Sequence, residues 1–583
     1  MKTRGIRFIP FVLAALMIMT VLPSCRPSDA GEDTSSPGTT AGTVESTDAG
    51  TTAAPETTID VSQLAENDIR RWRDKVRAGD WAMAVAAALS EGDSVYIPAG
   101  TYRMSIVNVP SGKTIYGDGE ETKIYPLGKV LFELTGKVGE EIRIAEHMQD
   151  FSDTLTLTRS SGAKAGDIIY LMSQRNCTIL EDCTSDWVLG RTYKSGVACF
   201  FAEFLTVSAV SDGGKTLKTE TKTVFPFYRA DGSEESVPRK PEGNVADYPY
   251  MRDGATVRLV TPVRDVVIRD LSVIECRNTA LTGSWMQNCL VERVSFRSEE
   301  KKAPDAGLCF LRISEALDCK IKDCSFIVPN KPAASAHRKS SNYSDYNTAR
   351  ITRSYRSGFE GCYSDFSTHA FLIGKAHKSG TSYGCYVKNC TAENSIWGGV
   401  YVAGGCYDTT VTGNTVKNSG RGIVAAGRKN YIADNDVTLS LSPLTDYYYV
   451  RRESGGTAGI ALIEGCSVDS TVENNRISEA TTAILIRDGY EETNIFEFGS
   501  ITVKNNRVSD CVGAVMIYRH EKNVGEKPFR LIVVDNEFSG GAAGTRFAGG
   551  TGIVLDPETT GETISGNRFE NFKEEIIPAR TTA

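Results

Sequence analysis

Val411-Thr412-Gly413-Asn414-Thr415-Val416 and Ile432-Ala433-Asp434-Asn435-Asp436-Val437 share one pattern: an apolar residue, two others, Asn, any residue, and a second apolar residue. Further copies, with Asn, Asp, Cys or an apolar residue at the fourth place, start at Val267, Val291, Ile321, Val387, Val472, Val503, Val533 and Ile564, the first of them ending on Ser272. A return every 20 to 30 residues or so marks a solenoid whose neighbouring units share one core. Asn tolerates left-handed backbone and bonds to its own copy in the next coil. Asn389, Asn414, Asn435, Asn475, Asn506, Asn536 and Asn567 are therefore read as a turn ladder without catalytic weight. A short strand follows each turn. Alternation along it points Val400, Ile423, Ile460, Ile484, Val515 and Ile553 inward together.

Upstream, Gly92-Asp93-Ser94-Val95-Tyr96-Ile97-Pro98-Ala99-Gly100-Thr101-Tyr102 is followed by Val109-Pro110-Ser111-Gly112-Lys113-Thr114-Ile115-Tyr116-Gly117-Asp118-Gly119. These runs resemble the opening of the pectin-lyase-like superfamily. The resemblance implies an all-β chain folded as a right-handed parallel β-helix. Members of that superfamily include lyases, hydrolases, epimerases and phage tailspikes, so the fold alone names no reaction. Residues 64–90 read as an amphipathic helix broken at Gly79-Asp80, a lid for the open first coil. Between about 139 and 260 the coil pattern stops. Alternating segments at 166–171, 204–207 and 215–219 indicate a β-rich insertion, which resembles one found in phage appendage proteins. Its many aromatics, Phe227 among them, are read as core before sugar platform.

The chain thus divides into residues 1–25, 26–60, 61–138, 139–260 and 261–583: targeting segment, tether, capping helix with first coils, insertion, and main β-helix. Lys2, Arg4 and Arg7 precede an apolar run from Phe8 to Leu22, the layout of an export signal. Leu22-Pro23-Ser24-Cys25 resembles a bacterial lipobox, which implies a lipid on Cys25 and a protein held on the membrane facing outward. The Ser/Thr/Gly-rich residues 26–60 lack the apolar surface to fold and read as a flexible spacer.

A net charge of -8 and a pI near 5.5 argue against a nucleic-acid partner. Of 15 cysteines, 14 lie beyond Cys25, and pairs such as Cys319/Cys324 and Cys385/Cys390 recur within the repeats. Buried thiol ladders are expected in preference to a disulfide framework. No Cys/His cluster has zinc spacing, no cofactor is implied, and calcium finds no convincing acidic cluster. The assembly expected is a monomer or, as among tailspikes, a homotrimer.

In the superfamily that the motifs resemble, substrate lies on the sheet that follows the turn. Glu464, Asp488, Lys375, Arg487, Arg519 and His520 are the catalytic candidates there; His369, Arg312, Tyr401, Tyr518 and Asp556 are the substrate-binding ones. If Glu464 and Asp488 occupy equivalent places on adjacent coils, they stand roughly 5 Å apart, as in a retaining glycosidase. If Lys375, Arg487, Arg519 or His520 dominates, a base removes the proton beside a uronate carboxylate while an Arg stabilises the growing charge, as a lyase requires. The basic and aromatic excursion at about 329–363, with Arg350, Arg353, Tyr355 and Arg356, is read as a wall over the groove. The expected function is cleavage of a polysaccharide by hydrolysis or elimination. A glycan-binding adhesin or display module and a sugar epimerase are the alternatives.

Overall fold

The computed structural model describes residues 61–148, 152–173, 202–224, 227, 229, 254–301, 307–331, 347–374, 382–404, 406–440, 457–463, 467, 469–487, 499–518, 530–555 and 560–577. Their main feature is one wound sheet in which each strand pairs in parallel with the same place in the next coil. Val387 pairs with Val411, and the line continues through Ile432, Val472, Val503, Val533 and Ile564. Coil length varies widely: 21 residues separate Asn414 from Asn435, and 40 separate Asn435 from Asn475. The register survives because the strands keep their paired places across the longer coil. The positions expected to point inward do so: Val400, Ile423, Ile460, Ile484, Val515 and Ile553 are all fully buried. In the wider early coils Phe296 and Phe326 stack at 5.4 Å between ring centroids.

At the turn the ladder forms, with a shift of one residue at its upper end. Asn475 Oδ1 accepts from the backbone N–H of Asn435 at 3.0 Å and from its Nδ2 at 2.8 Å, and Asn475 Nδ2 donates to Ile432 O at 3.0 Å. Asn414, Asn435, Asn506, Asn536 and Asn567 repeat this arrangement. Asn389 is not in the column. It occupies the preceding place, where the backbone is left-handed, together with Gly413, Asp434, Asn474, Asn505, Asp535 and Gly566. Cys390 holds the ladder position in that coil, and its N–H donates to Asn414 Oδ1 at 2.9 Å. Cys324 and Cys362 hold it in the two coils before, two residues after the paired Lys322 and Glu360. The column therefore begins with thiols and continues with amides. The left-handed demand and the hydrogen-bonding demand fall on adjacent residues, which the sequence pattern had merged into one. Ten described cysteines are free and buried. Burial pushes the thiols of Cys276, Cys385 and Cys511 up to about 12, so they stay protonated.

The N-terminal lid is less regular than one broken helix. Val61–Gln63 and Ile69–Lys75 are short 3-10 turns, and Ala82–Glu91 is an α-helix that buries Ala84, Val85, Ala88 and Leu89 against the first coil. Between them the chain turns and forms isolated parallel bridges, Asp68 to Tyr96 and Asp80 to Arg103. The lid thus supplies backbone partners to the first coil as well as apolar cover, removing an exposed sheet edge.

A second, antiparallel sheet sets Ile168–Ser173 between Ala202–Ser211 and Ala255–Thr261. Thr216–Thr219 and Thr154–Thr156 extend it on one side, and Lys137–Val138 and Ile142–Arg143 on the other. Phe227 is fully buried in its core. Its opposite face carries Tyr170 and Phe204, which pack edge-on to Trp285 at 5.1 and 6.1 Å and meet Leu317 and Tyr355 on a corner of the solenoid. Tyr355 Oη donates to Ala202 O at 3.1 Å.

The excursion at 329–363 is not a wall of loop throughout. Asn347–Thr352 is a strand of the wound sheet, because Ala349 and Ile351 alternate into the core. Tyr355 is buried under the insertion. Arg353 pairs with Glu315 and Arg356 with Asp318, so only Arg350 of the four residues faces outward without a carboxylate among the described residues. Residues 332–346 of the excursion lie outside the described residues.

Candidate functional site

Two outward columns of the long sheet converge on one patch. In the first, Arg312 pairs with Arg350, Arg350 with Leu372, Leu372 with Tyr401, and Tyr401 with Val424. Neighbouring parallel strands lie about 4.8 Å apart, so the run from Arg312 to Tyr401 is about 14 Å long. In the second column Asn347, His369, Gly398 and Arg421 follow one another. All of these sit on paired strands, whose inward neighbours lock them against the core.

His369 is half-buried. Its Nδ1 lies 2.8 Å from Asn347 Oδ1; an amide oxygen only accepts, so Nδ1 carries the hydrogen and Nε2 keeps its lone pair. Desolvation lowers its pKa to about 3, so the ring is neutral at physiological pH. Trp397 stands edge-on to the imidazole at 5.1 Å between centroids and Tyr401 lies against it at 4.8 Å. Trp397 and Tyr401 also meet each other edge-to-face at 5.1 Å. The Arg421 guanidinium, fully buried, lies 4.8 Å from the Trp397 ring centre and fixes the indole from the far side. The cluster presents two half-buried aromatic rings and one imidazole acceptor on a stiff base, a combination suited to holding a ligand with both apolar faces and hydroxyl groups.

At one end of the patch Arg312 Nη2 donates to Gly307 O at 2.8 Å, and Arg350 stands beside it. At the other end the outward positions turn apolar and closed: Val424, Ala426, Ala461 and Ile463 are buried in the cluster that also holds the insertion's core. Among the described residues no group of three or more His, Cys, Asp or Glu side chains is placed to hold a metal ion.

A family described as "Right handed beta helix region" matches residues 377–527. The Gp54 tailspike of Acinetobacter baumannii bacteriophage AP22, solved in complex with A. baumannii capsular saccharide, superposes with a TM-score of 0.54 at 12% identity, covering 88% of this chain and 77% of that one. The Pseudomonas phage phi297 tailspike gp61 gives 0.53 at 13% identity, with 87% and 80% covered. No curated protein matches the sequence. The fold is the right-handed parallel β-helix.

Within this β-helix the sequence-derived candidates are dispersed. Arg312, His369 and Tyr401 meet at the patch. Arg487 lies two residues past the Tyr401 column, on the strand Thr482–Arg487, and pairs in register with Tyr518. Glu464, Asp488, Lys375, Arg519, His520, Asp556 and Cys25 lie outside the described residues. Leu462 and Ile486, two residues before Glu464 and Asp488, do pair across adjacent coils. Three members of the patch were not read as site residues from the sequence: Arg350, which was assigned to a wall over the groove, Trp397 and Arg421. The alternation in Ala349-Arg350-Ile351-Thr352 was a usable signal for the first, and the place of Trp397 just before Gly399-Val400-Tyr401 for the second.

Proposed function

We propose that this protein binds a polysaccharide along the outer face of the β-helix and cleaves it there. The observation that carries the reading is the His369, Trp397 and Tyr401 cluster on rigid strands, with hydrogen-bonding and aromatic surface side by side. A saccharide bound to the AP22 tailspike is consistent with a glycan on this fold. In the cleavage reaction the neutral His369 Nε2 takes the proton beside a uronate carboxylate, a ring double bond forms and the glycosidic oxygen leaves with the neighbouring sugar, which is elimination chemistry. The carboxylate pair Glu464 and Asp488 would serve hydrolysis instead.

One observation favours a second reading, a binder without turnover. An imidazole whose pKa is near 3 is a weak base at neutral pH, and it suits hydrogen-bond acceptance better than proton removal. The test is to incubate the soluble protein from residue 59 onward with neutral and uronic polysaccharides, following reducing ends and the absorbance of unsaturated products together. Both signals rising is the expected result and defines a lyase; reducing ends alone define a hydrolase. Retention without product establishes the binder, and neither retention nor product from any glycan sinks the proposal.

The protein reaches such substrates from the cell surface, tethered by a lipid on Cys25 and the spacer that follows it. Fatty-acid labelling of the full chain in its bacterial host is expected to mark the protein, and Cys25→Ala to abolish the label and release the protein from the membrane fraction. A labelled Cys25→Ala variant would refute the anchor.

A further inference from the structure

We propose that Arg312 and Arg350 form an oxyanion subsite, so that the glycan bound at the patch carries acidic sugars. The inference rests on the glycan reading above and gives it a substrate class. The two guanidinium groups are in-register neighbours on the outward face, one strand spacing apart. Both are half-buried, and neither meets a carboxylate among the described residues. Elsewhere on the solenoid the pattern is the opposite: Arg269, Arg293, Arg356, Arg428, Arg476 and Arg507 each have an acidic partner. Like charges directly opposite each other on a sheet repel, and no carboxylate among the described residues compensates this pair. Arg312 is held by Gly307 O through Nη2, while its Nε is buried without a hydrogen-bond partner. An oxyanion bridging the two converts repulsion into attraction; carboxylate and sulfate ester both have the geometry that a guanidinium fork recognises.

The subsite lies two to three strand spacings from Tyr401, about 10 to 14 Å along the same column. It therefore reads a sugar other than the one against the aromatic rings, setting preference without touching the imidazole.

The test compares dissociation constants for polygalacturonate, alginate and hyaluronan with those for the carboxyl-reduced form of each, and for a sulfated glycan with its desulfated form. Arg312→Gln/Arg350→Gln is expected to remove a preference for the acidic polymer of about 10- to 100-fold, leaving affinity for the reduced polymer unchanged. Which pair shows the loss tells carboxylate from sulfate. Circular dichroism checks folding; should the Gln pair not fold, Arg312→Lys/Arg350→Lys keeps the charge and is expected to lose part of the preference with the fork. An acidic-to-neutral ratio unchanged in the folded variants overturns the subsite while the glycan reading stands. Retention of neither polymer by the unaltered protein overturns that reading, and the subsite with it.

Discussion

Tyr401→Ala weakens glycan binding by about 10- to 100-fold, while Tyr401→Phe stays within about threefold of the unaltered protein. The ring lies outward at the centre of the patch, against His369 at 4.8 Å and Trp397 at 5.1 Å, and its inward neighbours Val400 and Val402 are fully buried. Truncation removes the flat surface a sugar ring lies on without touching the core that holds the strand. His369→Ala separates binding from chemistry at the same place. If Nε2 moves the proton, turnover falls by about 10²- to 10⁴-fold with affinity largely kept; unchanged turnover assigns the reaction to other residues. The pH response follows from burial. With a pKa near 3, His369 stays neutral from pH 8 to 5, and affinity for a neutral glycan is expected to be flat across that range. The unfolded chain takes up the proton near the ordinary value of about 6.5, so the contribution of this residue to stability is fully present above that pH and is lost as pH falls toward 3. Isothermal titration at several pH values checks both statements, and a binding midpoint near 6.5 would remove the desolvated imidazole from the site.

Asn475→Ala is expected to cost about 3–5 kcal/mol. Asn475 is fully buried at the middle of the column. Its removal orphans the Asn435 N–H and one hydrogen of Asn435 Nδ2, whose other hydrogen stays on Val411 O, and takes a donor from Ile432 O. Each buried polar group left unpaired costs about 1–3 kcal/mol. Because a solenoid is stabilised chiefly by neighbour contacts, the loss is expected to appear first as faster hydrogen exchange in the coils around Ile432 and Val503, ahead of general unfolding. Urea unfolding followed by exchange mass spectrometry tests this, and a cost below about 1 kcal/mol would mean the amide column is ornamental.

The solenoid was legible because its rules are local. A repeated apolar-x-x-Asn-x-apolar unit states the turn and the strand in six residues, and alternation then names the inward side chains, from Val400 to Ile553, without knowledge of coil size. Resolution was lost where two demands fall on adjacent residues: Asn389 satisfies the left-handed backbone, whereas Cys390 satisfies the ladder bond. The strand at Asn347–Thr352 was hidden among basic and aromatic residues whose mixture resembled a loop, although Ala349 and Ile351 already alternated.

The amino-acid sequence by itself determined the coil, its core face and its turn chemistry, because these depend on residues within a few positions of one another. Only the tertiary structure decided what stands beside what across coils. Arg312 and Arg350 are neighbours through a strand spacing of about 4.8 Å, yet in-register partners lie 20 residues apart at Ser94 and Thr114, 40 apart at Asn435 and Asn475, and 153 apart across the insertion at Thr114 and Val267, so no fixed period reveals them. The depressed pKa of His369 is likewise a property of the assembled surface, since desolvation comes from groups that the winding of the chain brings to it.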